Sequence, residues 1–122
     1  MRHGTLWRAD EPLCARAALA ACARERMRGL LGRTRMAADE ALWIAPCNAV
    51  HTFGMRMAID VVLLAGDGTV LAVHGSVAPG RLRMHWRARA VVELAAGRAA
   101  ALALRAGQRL RFQPRDDDEV AA

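Results

Sequence analysis

Two apolar runs on either side of a tight turn dominate the hydrophobic pattern of the chain. Residues 59–64 read Ile-Asp-Val-Val-Leu-Leu, apolar and largely β-branched except at Asp60. Gly66-Asp67-Gly68 follows, and residues 69–73 are apolar again. Two such runs across a short Gly/Asp turn predict a β-hairpin. Shorter runs at 41–45, stopped by Pro46, and at 90–94 predict further strands. Residues 109–112 alternate and predict a last strand before Pro114. Residues 13–31 are Ala-rich and by propensity read as one helix, but an Ala-biased composition also allows a split, with a strand over 13–20. Residues 23–31 read as a short helix, with Met27, Leu30 and Leu31 on one stripe and Arg24, Arg26 and Arg28 toward water. Gly32 suits the left-handed position that ends a helix. Residues 98–104 predict a helical turn, and residues 75–83 a loop around Pro79-Gly80. Residues 1–12 read as a flexible lead-in. Residues 114–122, with Asp116-Asp117-Asp118-Glu119, read as a disordered acidic tail. The remainder, 13–113, is a single, mainly β domain with minor helix.

Composition narrows the function classes. The chain has 122 residues and a net charge of +6, and all 18 of its basic residues are arginine. A basic chain can meet nucleic acid or an anionic surface. Here the arginines are scattered, no nucleic-acid-binding motif accompanies them, and few aromatic residues are present for base stacking, so nucleic acid is disfavoured as a partner. The three cysteines, Cys14, Cys22 and Cys47, form no Cys-x-x-Cys pair. That pattern argues against a disulfide framework or structural zinc and for a reducing, cytoplasmic setting. Leu19-Ala20-Ala21-Cys22 resembles a lipoprotein cleavage box, but Asp10, Glu11, Pro12 and Arg16 spoil the apolar segment a signal peptide needs. No stretch is long and apolar enough to predict a membrane-spanning helix.

The chemically capable side chains gather between positions 47 and 60. Cys47 and His51 are four apart, about 13 Å in an extended strand, and would meet only across a bend. With a bend, His51 could activate Cys47 as a thiolate; without one, Cys47 is a buried thiol and His51 a hydrogen-bonded ring. Arg56 and Asp60 share strand parity. A carboxylate inside an apolar run must, if buried, be paired or hydrogen-bonded, and Arg33, Arg35 or Arg56 could serve Asp60. In the other reading Arg56, His51 and Thr52 line a ligand cleft. Glu93, the second acid in an apolar strand, could pair with Asp60 for acid–base work. No His spacing supports a metal site, and no cofactor motif is present. Trp43 reads as core. Trp86, between His85 and Arg87, is the better candidate for ligand stacking.

Four ordered motifs carry a family resemblance. Residues 26–33 read Arg-Met-Arg-Gly-Leu-Leu-Gly-Arg. Cys47, then His51-Thr52-Phe53-Gly54-Met55-Arg56 and Ile59-Asp60-Val61, form the central motif. Val92-Glu93-Leu94-Ala95-Ala96-Gly97 and Gly107 close the set. Together they resemble the domain of unknown function 192 family over residues 13–112. The resemblance implies a curved antiparallel sheet or barrel-like sandwich with one short helix near the start, and it carries no established activity. Met57-Ala58 stands where members often have Phe-Pro, and Gln108 where Asp is usual.

The residues then support three functional readings. The first is a non-catalytic binding module with a cleft at the 47–60 segment for a small anionic or polyhydroxy ligand or a peptide. Its candidate residues are His51, Thr52, Arg56, Asp60 and Trp86, with Cys47, Arg33 and Glu93 secondary. The second is an enzyme using Cys47/His51 or Asp60/Glu93. The third is a structural or protein-interaction domain without a pocket, which a flat exposed apolar patch would favour.

Overall fold

The centre of the fold is the strand that the apolar run predicts. In the computed structural model, which describes residues 1–21 and 30–115, β5 (Ile59–Leu64) is buried at all six positions. A strand apolar on both faces needs cover on both, and β5 has it. It lies between β6 (Val70–Val77) and β8 (Ala90–Ala95), antiparallel to each. Asp67 Oδ1 accepts from Thr69 N at 3.0 Å within the hairpin turn. Gly68 there has φ +89°, and a side chain would run into the Leu110 carbonyl. Only glycine fits both constraints.

The remaining strands are β1 (Arg2–Arg8), β2 (Glu11–Ala20), β3 (Glu40–Ile44), β4 (Ala49–His51), β7 (Leu82–Met84) and β9 (Leu110–Pro114). Of the nine strands among the described residues, seven form one sheet in the order β6-β5-β8-β3-β2-β1-β9, and β4 and β7 form a separate two-stranded ribbon. One face of the sheet buries Leu6, Leu13, Val62, Leu64, Val92 and Leu110. The other buries Ile44, Ile59, Val61, Leu63 and Val91, covered by Val50 of the ribbon and by Met55 and Met57. The two end strands meet at one corner, where Val70 N donates to Gln108 O and Leu110 N to Gly68 O. No closed barrel results.

Three expectations change here. Residues 1–12, read as a lead-in, hold β1 and the start of β2. Their apolar residues are few, but β1 gains partners on both sides, β2 and β9. The sheet is not wholly antiparallel, because β2 and β3 run parallel. The long connection between them gives the chain room to cross over before pairing. The short N-terminal helix finds no support: residues 22–29 lie outside the described residues, and the described helix is α1 (Arg98–Ala101). The acidic run 116–119 lies outside them too.

Candidate functional site

Asp60 begins the site because the whole 47–60 segment is read around it. It is fully buried. Its Oδ1 accepts from Ser76 N at 2.7 Å and Gly97 N at 3.0 Å, and its Oδ2 from Ala99 N at 2.7 Å. One carboxylate thus ties β5 to the end of β6 and to the first turn of α1, whose leading N–H groups have no helical acceptor. Thr52 is also buried. Its Oγ1 donates to Ala78 O at 2.7 Å and accepts from Arg81 N at 2.8 Å. Both side chains direct their polar atoms inward, to backbone.

Glu93 is fully buried as well, but away from Asp60. In the β5–β8 register Asp60 lies opposite Leu94, and Val61 opposite Glu93. Residues opposite one another share a face, and successive residues alternate. Asp60 therefore shares its face with Leu94, and Glu93 shares the other with Val61. The two carboxylates are held on opposite sides of the sheet. Cys47, half-buried, donates from Sγ to Ala49 O at 3.1 Å.

The ribbon gathers the other candidates. His51 pairs with Leu82 and Ala49 with Met84. Alternation sends these four side chains to the outer face and Val50 inward, where it is buried against the sheet. Phe53 follows β4 and stacks on the His51 ring at 5.2 Å. Trp86 lies in the turn that leaves β7, stacked on His85 at 6.4 Å, with the Arg87 guanidinium 5.9 Å from its ring centre. The exposures are large: Phe53 57%, Leu82 54%, Met84 60% and Trp86 79%. Leu31, also exposed, reaches the backbone of Gly54. Exposed single apolar residues are ordinary, but a group on one short ribbon is not. Phe53, Leu82 and Met84 were missing from the sequence-derived candidates. The alternation Arg81-Leu82-Arg83-Met84 is the signal that marks a strand there, hidden inside a segment read as loop.

Four arginines on the β1–β3 side and at the hairpin turn are paired: Arg8 with Glu11 at 2.8 Å, Arg16 with Asp39 at 2.7 Å, Arg33 with Glu40 at 2.8 Å and Arg109 with Asp67 at 3.2 Å. Hydrogen bonding to Arg16 holds Asp39 below the usual carboxylate range, and hydrogen bonding to Arg33 does the same for Glu40. Arg33 is thereby spent on Glu40. Around the ribbon, Arg56, Arg81 and Arg87 are exposed and have no carboxylate partner among the described residues. Four clefts among the described residues, of about 390 to 430 Å³, have linings that include none of His51, Arg56 and Trp86. Among the described residues no three His, Cys, Asp or Glu side chains gather as a metal site. No helix among the described residues is long and apolar enough to cross a membrane.

This arrangement, with its buried Asp60 and Glu93 in two apolar strands, matches a family model over residues 5–112, that of DUF192, Uncharacterized ACR. The chain belongs to this family. Two solved structures resemble the DUF192 chain closely in fold. One is a protein of unknown function from Novosphingobium aromaticivorans DSM 12444. It has 20% identity and a TM-score of 0.75, with 88% of this chain and 82% of that chain covered. The other is a candidate transcription regulator from Sinorhizobium meliloti 1021. It has 22% identity and a TM-score of 0.75, with 92% and 96% covered. At these identities the likeness is one of fold. No protein of curated function matches the chain.

Proposed function

We propose that this DUF192 chain is a non-catalytic recognition domain, working in the cytoplasm, that holds a partner protein or peptide against the outer face of the β4–β7 ribbon. The observation that carries the reading is the exposure of Leu82 and Met84 on that ribbon, with Phe53 and Trp86 exposed just beyond the ends of its strands. Large apolar and aromatic side chains with arginine at their rim are the composition of binding hot spots. In this reading the sheet curls into a barrel-like support, drawn in by the contacts between residues 68–70 and 107–110, and the ribbon is its outer layer.

The cleft for a small anionic or polyhydroxy ligand has less support, since Thr52 and Asp60 spend their polar atoms inside the fold. The enzyme readings have less again. Cys47 donates to a backbone carbonyl, and Asp60 and Glu93 are divided by the sheet. The test is selection of a random short-peptide library on the full chain, with counter-selection on the Leu82→Ser/Met84→Ser variant. The expected result is peptides retained by the native chain and lost by the variant at unchanged thermal stability. Peptides that bind both equally would remove the ribbon from consideration.

A further inference from the structure

From the distribution of charge around the ribbon we infer that its partner is an extended acidic segment, with carboxylates flanking one or two large apolar residues. The inference rests on the ribbon being the binding face and adds the chemistry of what binds there.

Between positions 41 and 92 the chain has only two acidic residues, Asp60 and Asp67. Asp60 is buried and committed to three backbone N–H groups. Asp67 is committed to Arg109. The same stretch holds Arg56, Arg81, Arg83, Arg87 and Arg89. Arg83 turns to its neighbour's carbonyl, Leu82 O, at 2.8 Å, and Arg89 to Ala88 O at 2.9 Å. Arg56, Arg81 and Arg87, in the segments that adjoin β4 and β7, have no carboxylate partner among the described residues. Guanidinium groups beside an apolar surface are weakly hydrated and suit bidentate carboxylate binding. A complementary partner therefore brings both carboxylates and apolar anchors.

The geometry selects among anionic partners. A second copy of this face would set Arg56, Arg81 and Arg87 against like charges. Two exposed aromatic rings, Phe53 and Trp86, are few for a run of stacked bases. β4 and β7 each have one strand partner, so an outer backbone edge is left on the ribbon. An extended peptide can hydrogen-bond to such an edge, and a bilayer cannot.

The experiment takes the best peptide from the library selection and its counterpart with Asp and Glu replaced by Asn and Gln. Both are titrated by fluorescence anisotropy into the native chain and into the Arg56→Gln/Arg81→Gln/Arg87→Gln variant. A single-stranded oligonucleotide and vesicles containing phosphatidylserine are titrated alongside. The expected result is selected sequences rich in Asp and Glu beside Leu, Ile or Phe. Neutralising either side should weaken binding about tenfold or more, with affinity falling as salt rises. Unfolding curves check that the triple variant stays folded. Selected peptides that are neutral, and that survive the triple variant but not Leu82→Ser/Met84→Ser, would overturn the acidic partner and leave the ribbon reading standing. Tighter arginine-dependent binding of the oligonucleotide or the vesicles would overturn the peptide class. No ribbon-dependent peptide binding at all would remove both.

Discussion

Asp60 is a single side chain doing the work of three hydrogen-bond acceptors. Asp60→Ala would leave Ser76 N, Gly97 N and Ala99 N buried without their acceptor. We expect a loss of about 3 kcal/mol or more, read by denaturant unfolding, because each buried orphan donor is costly. Asp60→Asn keeps one acceptor oxygen and should lose less. Unchanged stability of Asp60→Ala would show that these bonds do not hold the fold. Thr52→Val removes the hydroxyl between Ala78 O and Arg81 N and should cost about 1–3 kcal/mol. Cys14 offers a residue-scale test by pH. Burial pushes its thiol up from 9.0 to about 11, with Arg98 opposing and Asp39 adding. A raised folded value means that the neutral thiol stabilises the fold fully below pH 9, and that this stability is lost as pH rises through about 11. The chain has no lysine and no tyrosine to titrate in that window. Unfolding temperature should therefore fall between pH 9 and 11, and less steeply in Cys14→Ala. A slope identical in both would exclude Cys14 as its source.

At the scale of elements, paired charges fasten the edges of β2 and β3. Asp39, Glu40 and Asp67 are all held below their ordinary values. For Asp39 and Glu40 the main cause is an arginine hydrogen bond, and for Asp67 it is the hydrogen bond with Thr69. A lowered folded value contributes stability above the ordinary carboxylate range and loses it as pH falls through that range. His74, on β6, is lowered from 6.5 by burial and then by Arg83. Its contribution is present above pH 6.5 and is lost below it. Stability should decline in two steps on acidification, and His74→Gln should remove the first. A single decline near pH 4 in the native chain would count against the histidine. The hairpin turn is a second test at this scale. Gly68→Ala combines a left-handed backbone with contact against Leu110 O. It should cost at least about 1–3 kcal/mol and loosen the β5–β6 turn from β9, which amide exchange at Val70 and Leu110 would report.

For the whole molecule, the exposed apolar residues at the ribbon separate surface from support. Phe53, Leu82, Met84 and Trp86 bury little of themselves in the fold. Replacing Met84 or Trp86 by Ser should change stability by no more than about 0.5 kcal/mol, as for other surface positions, while abolishing ribbon-dependent peptide binding. A large loss of stability would mark the ribbon face as part of the fold's own packing.

The sequence by itself determined the mainly β class, the β5–β6 hairpin and β8. The reason is local: a continuous apolar run leaves a strand no exposed face, and a Gly-Asp-Gly turn fixes where it reverses. It did not determine β1, where Arg2, His3, Thr5 and Arg8 dilute the apolar signal and pairing with β2 and β9 supplies the order. The parallel β2–β3 pairing escaped because strand direction depends on how the connection between them crosses over, and the β4–β7 ribbon because three-residue strands carry almost no period. Side-chain roles were decided last and only in three dimensions. Asp60's partners come from positions 76, 97 and 99, far along the chain from position 60. Glu93's separation from Asp60 is a matter of one residue of register. Which arginines are left without a carboxylate depends on where the folded strands place the acids, and no spacing along the chain contains that information.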